Sequence, residues 1–143
     1  MTNIGFLGIG KLGMDCAEVF ATKYQVRGYD INKNLQSDSV QICDTADEVV
    51  DQSDWIFIAV PTPHAKEYDG SVPSSHLEPK DFGYDAVKDC LEVCARYTGK
   101  RIVLISTVLP GTVRRIFEPM LSKENDFVYN PYLIAMGTVK WDF

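Results

Sequence analysis

The sequence contains 143 residues, a length that usually forms one domain. Its 45% hydrophobic and 24% charged residues are typical of a globular protein and exclude a disordered or fibrous chain. Twenty acidic and fourteen basic residues give a net charge of −6. This charge argues against a nucleic-acid partner, because proteins that bind nucleic acid carry a basic surface that neutralises phosphates.

Three features predict a soluble, cytoplasmic protein with no membrane partner. The longest apolar runs, such as 55–60, fall far short of the ~20 residues that cross a bilayer. Residues 1–3 lead directly into a strand-like run without the basic segment of a signal peptide. Four cysteines are too few for a disulfide scaffold, so we expect reduced thiols at Cys16, Cys43, Cys90 and Cys94.

Short apolar runs alternate with helical patterns along the chain. Strands are predicted at 3–8, 24–30, 40–43, 55–60, 101–106 and 127–129. Helices are predicted at 11–22, after the capping box that begins at Thr45, at 82–97, and from a Thr112 cap to about 121. Strands that are apolar throughout need helices on both faces of a parallel sheet. The pattern therefore predicts an α/β fold, a Rossmann-like doubly wound parallel sheet of about six strands in the order 3-2-1-4-5-6.

A glycine-rich turn joins the first predicted strand to the first helix and matches G-x-G-x-x-G. Its first glycine permits a tight turn, its second leaves room for a pyrophosphate, and its third lets the helix approach the strand. The helix N-terminus offers free N–H groups and the positive end of its dipole to phosphates. A tight turn without a ligand is the alternative. We predict cofactor contacts at Gly8, Ile9, Gly10, Lys11, Leu12 and Gly13.

An acidic residue ends the second predicted strand. Asp30 lies 22 positions after Gly8, where a carboxylate can accept both ribose hydroxyls of an adenosine and repel a 2′-phosphate. The predicted cofactor is therefore NAD rather than NADP, although a cation at Lys33 would soften this discrimination. An exposed turn acid is the alternative reading of Asp30.

Two further motifs follow the fourth and fifth strands, at 60–63 and 106–112. Ligands in such sheets lie outside the carboxyl ends of the strands, so we expect the hydroxyls of Thr62, Ser106 and Thr107 to line the crevice. Turn formation and helix capping are their alternative roles. The connection at 61–81 is long for a compact domain, which is typical of a functional or mobile segment.

These motifs, with Asp69-Gly70-Ser71 and Asn130-Pro131, occur in one order along essentially the whole chain. Together they resemble the N-terminal NAD-binding domain of the UDP-glucose/GDP-mannose dehydrogenase family. Members oxidise the C6 alcohol of a nucleotide sugar to a carboxylate with NAD, in polysaccharide biosynthesis. The resemblance implies that Thr107 is catalytic and helps to place the attacking water. It also implies cofactor contacts at Val60, Pro61, Thr62, Ser106, Thr107 and Val108.

The chain departs from the family after Asn130-Pro131. Tyr132 and Met136 stand where the family carries two glutamates. A tyrosine cannot supply a carboxylate, so general-base catalysis from this position is not expected. The resemblance still implies substrate contacts along this segment, at Tyr132, Leu133 and Ile134.

The resemblance also predicts a single NAD-binding domain over 1–143, without the family's second domain. That domain carries the thiol nucleophile, and none of the four cysteines is expected to replace it: Cys16 is predicted to be core, and Cys90 and Cys94 to form one buried helical stripe. Family members are homodimers through a central helix beyond this domain, and a monomer is the alternative here. We expect exposed apolar surface at Leu133, Ile134 and Trp141, exposed histidines at His64 and His76, and no metal site.

Two other functions remain open at this stage. A 3-hydroxyacid or 6-phosphogluconate dehydrogenase has much the same opening, but Asp69-Gly70-Ser71 and the context of Pro110-Gly111-Thr112 favour nucleotide sugars. A non-catalytic nucleotide-binding module is the other alternative, which the residues at Tyr132 and Met136 favour.

Overall fold

The computed structural model describes residues 1–133 and 137–142 of the chain. Five of the six predicted strands are one or two residues shorter than predicted, and the sixth begins one residue earlier. The strands are β1 (Asn3–Leu7), β2 (Gln25–Tyr29), β3 (Gln41–Ile42), β4 (Trp55–Ile58), β5 (Arg101–Leu104) and β6 (Asp126–Tyr129). The helices are α1 (Lys11–Ala21), α2 (Ala46–Asp51), α3 (Asp85–Cys94) and α4 (Val139–Asp142).

The six strands form one parallel sheet in the order β3-β2-β1-β4-β5-β6. This confirms the predicted doubly wound Rossmann-like topology. Phe6 of β1 lies between Gly28 of β2 and Phe57 of β4. The strand order reverses at this point, and in such sheets the reversal opens a crevice at the carboxyl ends of the strands.

Successive strand residues point to opposite faces, and a separate core covers each face. Leu7, Ile56 and Ile58 pack with α2 and α3 on one face. Phe6 and Phe57 pack with α1 and α4 on the other, with their rings stacked at a centroid distance of 5.0 Å. Because both faces are buried, the strands are apolar at consecutive positions, which explains their unbroken hydrophobic pattern.

The start of α2 confirms the Thr45 part of the predicted capping box. Thr45 precedes the helix, and its Oγ1 accepts the Glu48 amide at 3.2 Å. This bond satisfies one of the amides that lack a helical acceptor in a first turn. No helix in the described part of the chain is long and apolar enough to span a bilayer.

The segment after β5 differs from the prediction of a regular helix that Thr112 caps. It contains a π-helical turn (Val113–Phe117) followed by a 3₁₀ turn (Glu118–Met120). Thr112 is fully buried with helical backbone angles, and its hydroxyl lies 3.4 Å from the Tyr84 hydroxyl, so the predicted cap is wrong. Pro119 lacks the N–H that would continue an α-helical ladder, which explains the irregular end. Neither α4 nor the 3₁₀ turn Lys66–Tyr68 was predicted.

Candidate functional site

A cleft of about 760 Å³ lies at the carboxyl ends of the central strands. The β1–α1 turn, the ends of β2 and β4, the first residue of α2 and one face of α3 line it. It therefore occupies the position at which the strand order reverses. The predicted cofactor residues that line this cleft are Gly8, Gly10, Lys11, Leu12, Gly13, Asp30, Val60 and Pro61.

The three glycines of the turn have different roles. Gly8 has φ +90°, and a Cβ there would lie 2.5 Å from the Ala59 carbonyl oxygen. A Cβ on Gly13 would lie 2.0 Å from the Gly8 carbonyl oxygen. At Gly10 a Cβ would meet nothing within 4 Å. Gly8 and Gly13 therefore permit the fold of the turn, whereas Gly10 keeps the surface above it open.

The open surface at Gly10 adjoins the N-terminus of α1. The first helical hydrogen bond runs from the Met14 amide to the Gly10 carbonyl at 2.8 Å. The amides that precede Met14 in the first turn of α1 therefore have no acceptor within the helix. Their N–H groups and the helix dipole favour an anion. The turn therefore fits a diphosphate that approaches the bare backbone at Gly10.

The Asp30 carboxylate is held against the turn. Its Oδ2 accepts the Ile9 amide at 3.0 Å, and its Oδ1 accepts the Asn32 amide at 2.9 Å. Each carboxylate oxygen can accept a second hydrogen bond, so this orientation leaves room for two ribose hydroxyls. The Ile9 side chain is fully buried and packs against Gly28, where an added Cβ would lie 2.7 Å from Ile9 Cγ2. Ile9 therefore offers only its backbone to the cleft.

Lys33, the cation beside Asp30 in sequence, is engaged elsewhere. Its Nζ donates to the Asp44 carbonyl at 2.8 Å and lies 4.2 Å from the centroid of the Tyr29 ring. These contacts link the loop after β2 to the loop before α2. An ammonium held in this way is less available to a 2′-phosphate, so the carboxylate of Asp30 dominates the charge at the ribose position.

The loops that follow β4 and β5 are joined by side-chain hydroxyls. Ser106 Oγ accepts the Val60 amide at 3.0 Å and donates to the Val60 carbonyl at 2.6 Å. Thr62 Oγ1 donates to the Thr107 carbonyl at 2.6 Å. The predicted residues Thr62, Ser106, Thr107 and Val108 lie beside the cleft and are not part of its lining. Their contact with the cofactor remains a prediction.

Two tyrosines hold the remainder of the loop after β5. The Val108 amide donates to the Tyr129 hydroxyl at 3.3 Å, and the Leu109 amide donates to the Tyr84 hydroxyl at 3.1 Å. Tyr84 is buried and also donates to the Asp81 carboxylate. Thr107 stays exposed at the tip of this anchored loop. Tyr84 was not identified from the sequence.

Tyr132, the first predicted substrate residue, is half-buried against the core on the α1 face. Burial, together with the nearby Cys16 thiol, raises the pKa of its phenol, so the side chain stays neutral. The next predicted residue, Leu133, is 98% exposed, and Trp141 is 91% exposed, which confirms the apolar surface expected there. Ile134 and Met136 lie outside the described residues.

The sequence analysis missed the far wall of the cleft. This wall includes Ala46 at the start of α2 and a face of α3 formed by Ala86, Asp89, Cys90 and Val93. The neighbouring face of α3 places Val87, Leu91 and Cys94 in the core, and Cys90 and Val93 also pack partly against that core. A helix whose second face is also apolar needs something besides the core to bury that face. This second apolar face is the signal in the sequence that could have identified the wall of the cleft.

The cysteines do not supply a nucleophile. Cys16 and Cys94 are fully buried, as predicted, whereas Cys90 is half-buried and lines the cleft, so the prediction of one buried stripe is wrong for Cys90. Burial raises the pKa of each of these three thiols to about 12. They are therefore protonated at neutral pH, and a protonated thiol is a poor nucleophile.

The histidines and the long connection carry no further cluster. His64 and His76 are exposed, as predicted. Asp69 Oδ1 accepts the Ser71 amide at 2.8 Å around Gly70. Hydrogen bonding by the Ser71 side chain, and then by its amide, lowers the pKa of the Asp69 carboxyl. Among the described residues, no group of three or more His, Cys, Asp or Glu side chains converges to hold a metal ion.

A comparison with known protein families identifies the family of the chain that forms this cleft. The profile of the UDP-glucose/GDP-mannose dehydrogenase family, NAD binding domain, matches residues 30–143. The chain belongs to this family. Its cofactor is therefore NAD, because the family consists of NAD-dependent oxidoreductases. This assignment excludes the alternative that the chain is a 3-hydroxyacid or 6-phosphogluconate dehydrogenase. The match begins at Asp30, so the assignment of the glycine turn rests on its geometry.

The chain is also similar to individual proteins over part of their length. Protein CapL from Staphylococcus aureus is 26% identical over 144 residues, which cover 88% of this chain and 32% of CapL. A UDP-glucose dehydrogenase from Pyrobaculum islandicum is 24% identical, with a TM-score of 0.76, over 100% of this chain and 38% of that one. A GDP-mannose dehydrogenase from Pseudomonas aeruginosa is 19% identical, with a TM-score of 0.76, over 97% and 38% of the two chains.

At these identities the two solved structures show a shared fold. The chain spans about a third of the length of CapL and 38% of each solved relative.

Proposed function

We propose that the whole protein is a nucleotide-sugar 6-dehydrogenase that resembles UDP-glucose 6-dehydrogenase, and that this chain is its NAD-binding domain. The observation that carries the proposal is the glycine turn, open at Gly10 and tied to the Asp30 carboxylate through the Ile9 amide at 3.0 Å. Membership of the family supplies the substrate class. The substrate is a nucleotide sugar such as UDP-glucose, oxidised at its C6 alcohol to a carboxylate.

Residues of the turn hold the cofactor in this proposal. The amides of the first turn of α1 bind the diphosphate, and Asp30 accepts the hydroxyls of the adenosine ribose. Lys11, exposed at the rim of the cleft, adds a positive charge near the diphosphate. When bound, NAD accepts a hydride from the substrate alcohol.

The loops after β4 and β5 position the reactive half of the site. Thr107 is the proposed catalytic residue, and its hydroxyl helps to place the attacking water. The bond from Thr62 to the Thr107 carbonyl, with the Tyr84 and Tyr129 bonds further along, limits the movement of this loop. Such preorganisation keeps a catalytic group close to its productive geometry.

The substrate is bound between this domain and a second domain. Backbone groups along Tyr132, Leu133 and Ile134 contact it from this side. Tyr132 supplies no carboxylate, so a proton acceptor comes from elsewhere in the complete site. Chain 1–143 forms one domain, and the nucleophile and most sugar contacts lie in the second domain. A central helix beyond this domain forms the contact of the homodimer.

An assay of NADH formation tests the proposal. Full-length protein with NAD and UDP-glucose, or another nucleotide sugar, is expected to produce two NADH per sugar because alcohol-to-carboxylate oxidation removes two hydrides. Thr107→Val is expected to lower kcat while NAD binding is retained. NAD binding without NADH formation from any nucleotide sugar would reject the dehydrogenase proposal.

A non-catalytic nucleotide-binding module is the second candidate. One observation favours it: Tyr132, half-buried with a raised pKa, replaces an acidic residue of the family. The same assay separates the two, because a module binds NAD without turnover. A Tyr132→Glu variant that gained activity would show that the chain descends from an active enzyme.

A further inference from the structure

The long connection between β4 and α3 begins beside the loop that contains Thr107. At its start, Thr62 Oγ1 donates to the Thr107 carbonyl at 2.6 Å. The two ends of the connection also meet each other, because the Gly83 amide donates to the Pro63 carbonyl at 2.8 Å. The far end of the connection therefore returns to its start, near the same loop.

Tyr84 follows this far end and directly precedes α3. It is 5% exposed, and its ring packs edge-on against Phe117 with a centroid distance of 5.5 Å. Packing of this kind fixes the ring and with it the position of the phenol oxygen. Tyr84 therefore holds its hydroxyl at one point between the long connection and the loop after β5.

Three polar groups surround that hydroxyl, which has a single proton. The hydroxyl donates to the Asp81 carboxylate, and a carboxylate is an acceptor only. The phenol oxygen is then left to accept, and it accepts the Leu109 amide at 3.1 Å. Thr112 Oγ1 lies 3.4 Å away and can donate to the same oxygen. Asp81 therefore orients the hydroxyl so that its oxygen faces the Leu109 amide.

The Leu109 amide depends on this bond. It has no other acceptor among the described residues. Leu109 lies two positions after Thr107 in the same loop. Loss of the Tyr84 hydroxyl would leave this amide without a partner and remove one of the supports of the loop.

We propose that Tyr84 is a positioning residue: its hydroxyl, oriented by Asp81, holds the Leu109 amide and so keeps Thr107 in place for the reaction. This inference rests on the proposed function, in which the Thr107 hydroxyl helps to place the attacking water. Tyr84 is not part of the cleft lining, so it acts through the loop rather than by contact with the cofactor. The long connection supports the Thr107 loop in this way at both of its ends.

Tyr84→Phe keeps the ring and removes only the hydroxyl. In full-length protein with NAD and UDP-glucose, or the nucleotide sugar that it oxidises, this variant is expected to lower kcat about tenfold, because a loosened loop misplaces Thr107. The dissociation constant for NAD is expected to stay within about twofold, because the glycine turn and Asp30 are unchanged.

Tyr97→Phe is the matched control. It removes the same atom from a phenol that donates to the Asp47 carboxylate at 3.2 Å, beyond the other end of α3. This variant is expected to leave kcat unchanged. Equal losses of kcat in Tyr84→Phe and Tyr97→Phe would overturn the proposal, because a general effect of a lost hydroxyl would explain both.

Two substitutions at Asp81 test the link to the long connection. Asp81→Asn keeps an oxygen that accepts the Tyr84 hydroxyl, so kcat is expected to stay within about twofold. Asp81→Ala removes this acceptor and lets the hydroxyl turn away from its present direction, so kcat is expected to fall about fivefold. Asp81 is exposed, so neither substitution disturbs the core.

Hydrogen exchange of the Leu109 amide, followed by NMR in the 143-residue chain, tests the bond without the reaction. Tyr84→Phe is expected to speed this exchange about tenfold or more, and Tyr97→Phe to leave it unchanged. An unchanged exchange rate in Tyr84→Phe, or an unchanged kcat, would overturn the proposal and leave the dehydrogenase standing. If the unchanged full-length protein forms no NADH with any nucleotide sugar, the proposed function fails, and this inference fails with it.

Discussion

The Ser106 hydroxyl bonds both polar groups of the Val60 backbone, accepting from its amide at 3.0 Å and donating to its carbonyl at 2.6 Å. Val60 follows β4 and Ser106 follows β5, so one side chain continues the pairing of these strands beyond the regular ladder. Because Ser106 is only 8% exposed, water has little access to these two hydrogen bonds. The loop that contains Thr107 therefore begins at a fixed point.

Ser106→Ala is expected to lower the free energy of unfolding by about 1–3 kcal/mol, because it leaves both Val60 groups without their partner. Urea denaturation monitored by fluorescence measures the change. Ser71→Ala is the control, since Ser71 is exposed and uses its backbone amide in the turn at Asp69. Equal stability of the Ser106→Ala variant and the original chain would show that the two bonds are dispensable.

Gly10 and Gly13 are expected to respond differently to alanine. Gly10→Ala places its methyl group in open space at φ −65°, so the free energy of unfolding is expected to change by less than about 1 kcal/mol. The same methyl group blocks the approach of a diphosphate, so NAD binding is expected to weaken about tenfold or more. Thermal unfolding and calorimetric titration measure the two effects.

Gly13→Ala serves as the comparison. Its methyl group would lie 2.0 Å from a backbone oxygen, so it is expected to destabilise the fold by about 1–3 kcal/mol or more. If Gly10→Ala binds NAD as the original chain does, the diphosphate does not lie over Gly10.

The sequence predicted the sheet order and the turn because both depend on local patterns. Continuous apolar strands and the G-x-G-x-x-G spacing are visible without knowledge of distant contacts. The α3 wall was missed because Cys90 was predicted to share one buried stripe with Cys94, and only the packed structure separates the cleft face of α3 from its core face. The bond from Ser106 to Val60 joins residues 46 positions apart, and no local pattern indicates it.

Asp30→Asn tests the choice between NAD and NADP. The substitution removes the charge at the ribose position and leaves one carbonyl oxygen for the two amides that Asp30 holds. NAD is expected to bind about tenfold less tightly, and the ratio of NADP to NAD affinity is expected to rise. Asp38→Asn, at an exposed acid outside the cleft lining, is the control. An unchanged affinity ratio in Asp30→Asn would assign the discrimination to another residue.

Stability is expected to fall at alkaline pH. Burial raises the pKa of the Cys16 and Cys94 thiols from 9.0 to about 12, and that of Cys90 likewise. Between pH 9 and 12 the unfolded chain therefore loses protons that the folded chain retains, which favours unfolding. Each thiol contributes a slope of up to about 1.4 kcal/mol per pH unit in this window. Below pH 9 this stability is fully present.

Urea denaturation in reducing buffer at pH 8 and pH 10 measures the loss. Cys16→Ala is expected to show a shallower pH dependence even where its absolute stability is lower, because one of the shifted thiols is gone. Tyr132 remains in both proteins, and its pKa stays raised by burial. Cys16→Ala removes the smaller contribution of the Cys16 thiol to that pKa, which also makes the pH dependence shallower. A free energy of unfolding that stays constant from pH 8 to pH 10 would contradict the burial of these thiols.

The central claim is that bare backbone amides at Gly8–Gly13, with one carboxylate at Asp30, bind NAD. Calorimetric titration of the folded 143-residue chain with NAD tests it most directly. The predicted result is saturable binding of one NAD per chain, weaker for NADP. Folded protein that releases no saturable heat and shows no other sign of binding at millimolar NAD would contradict it.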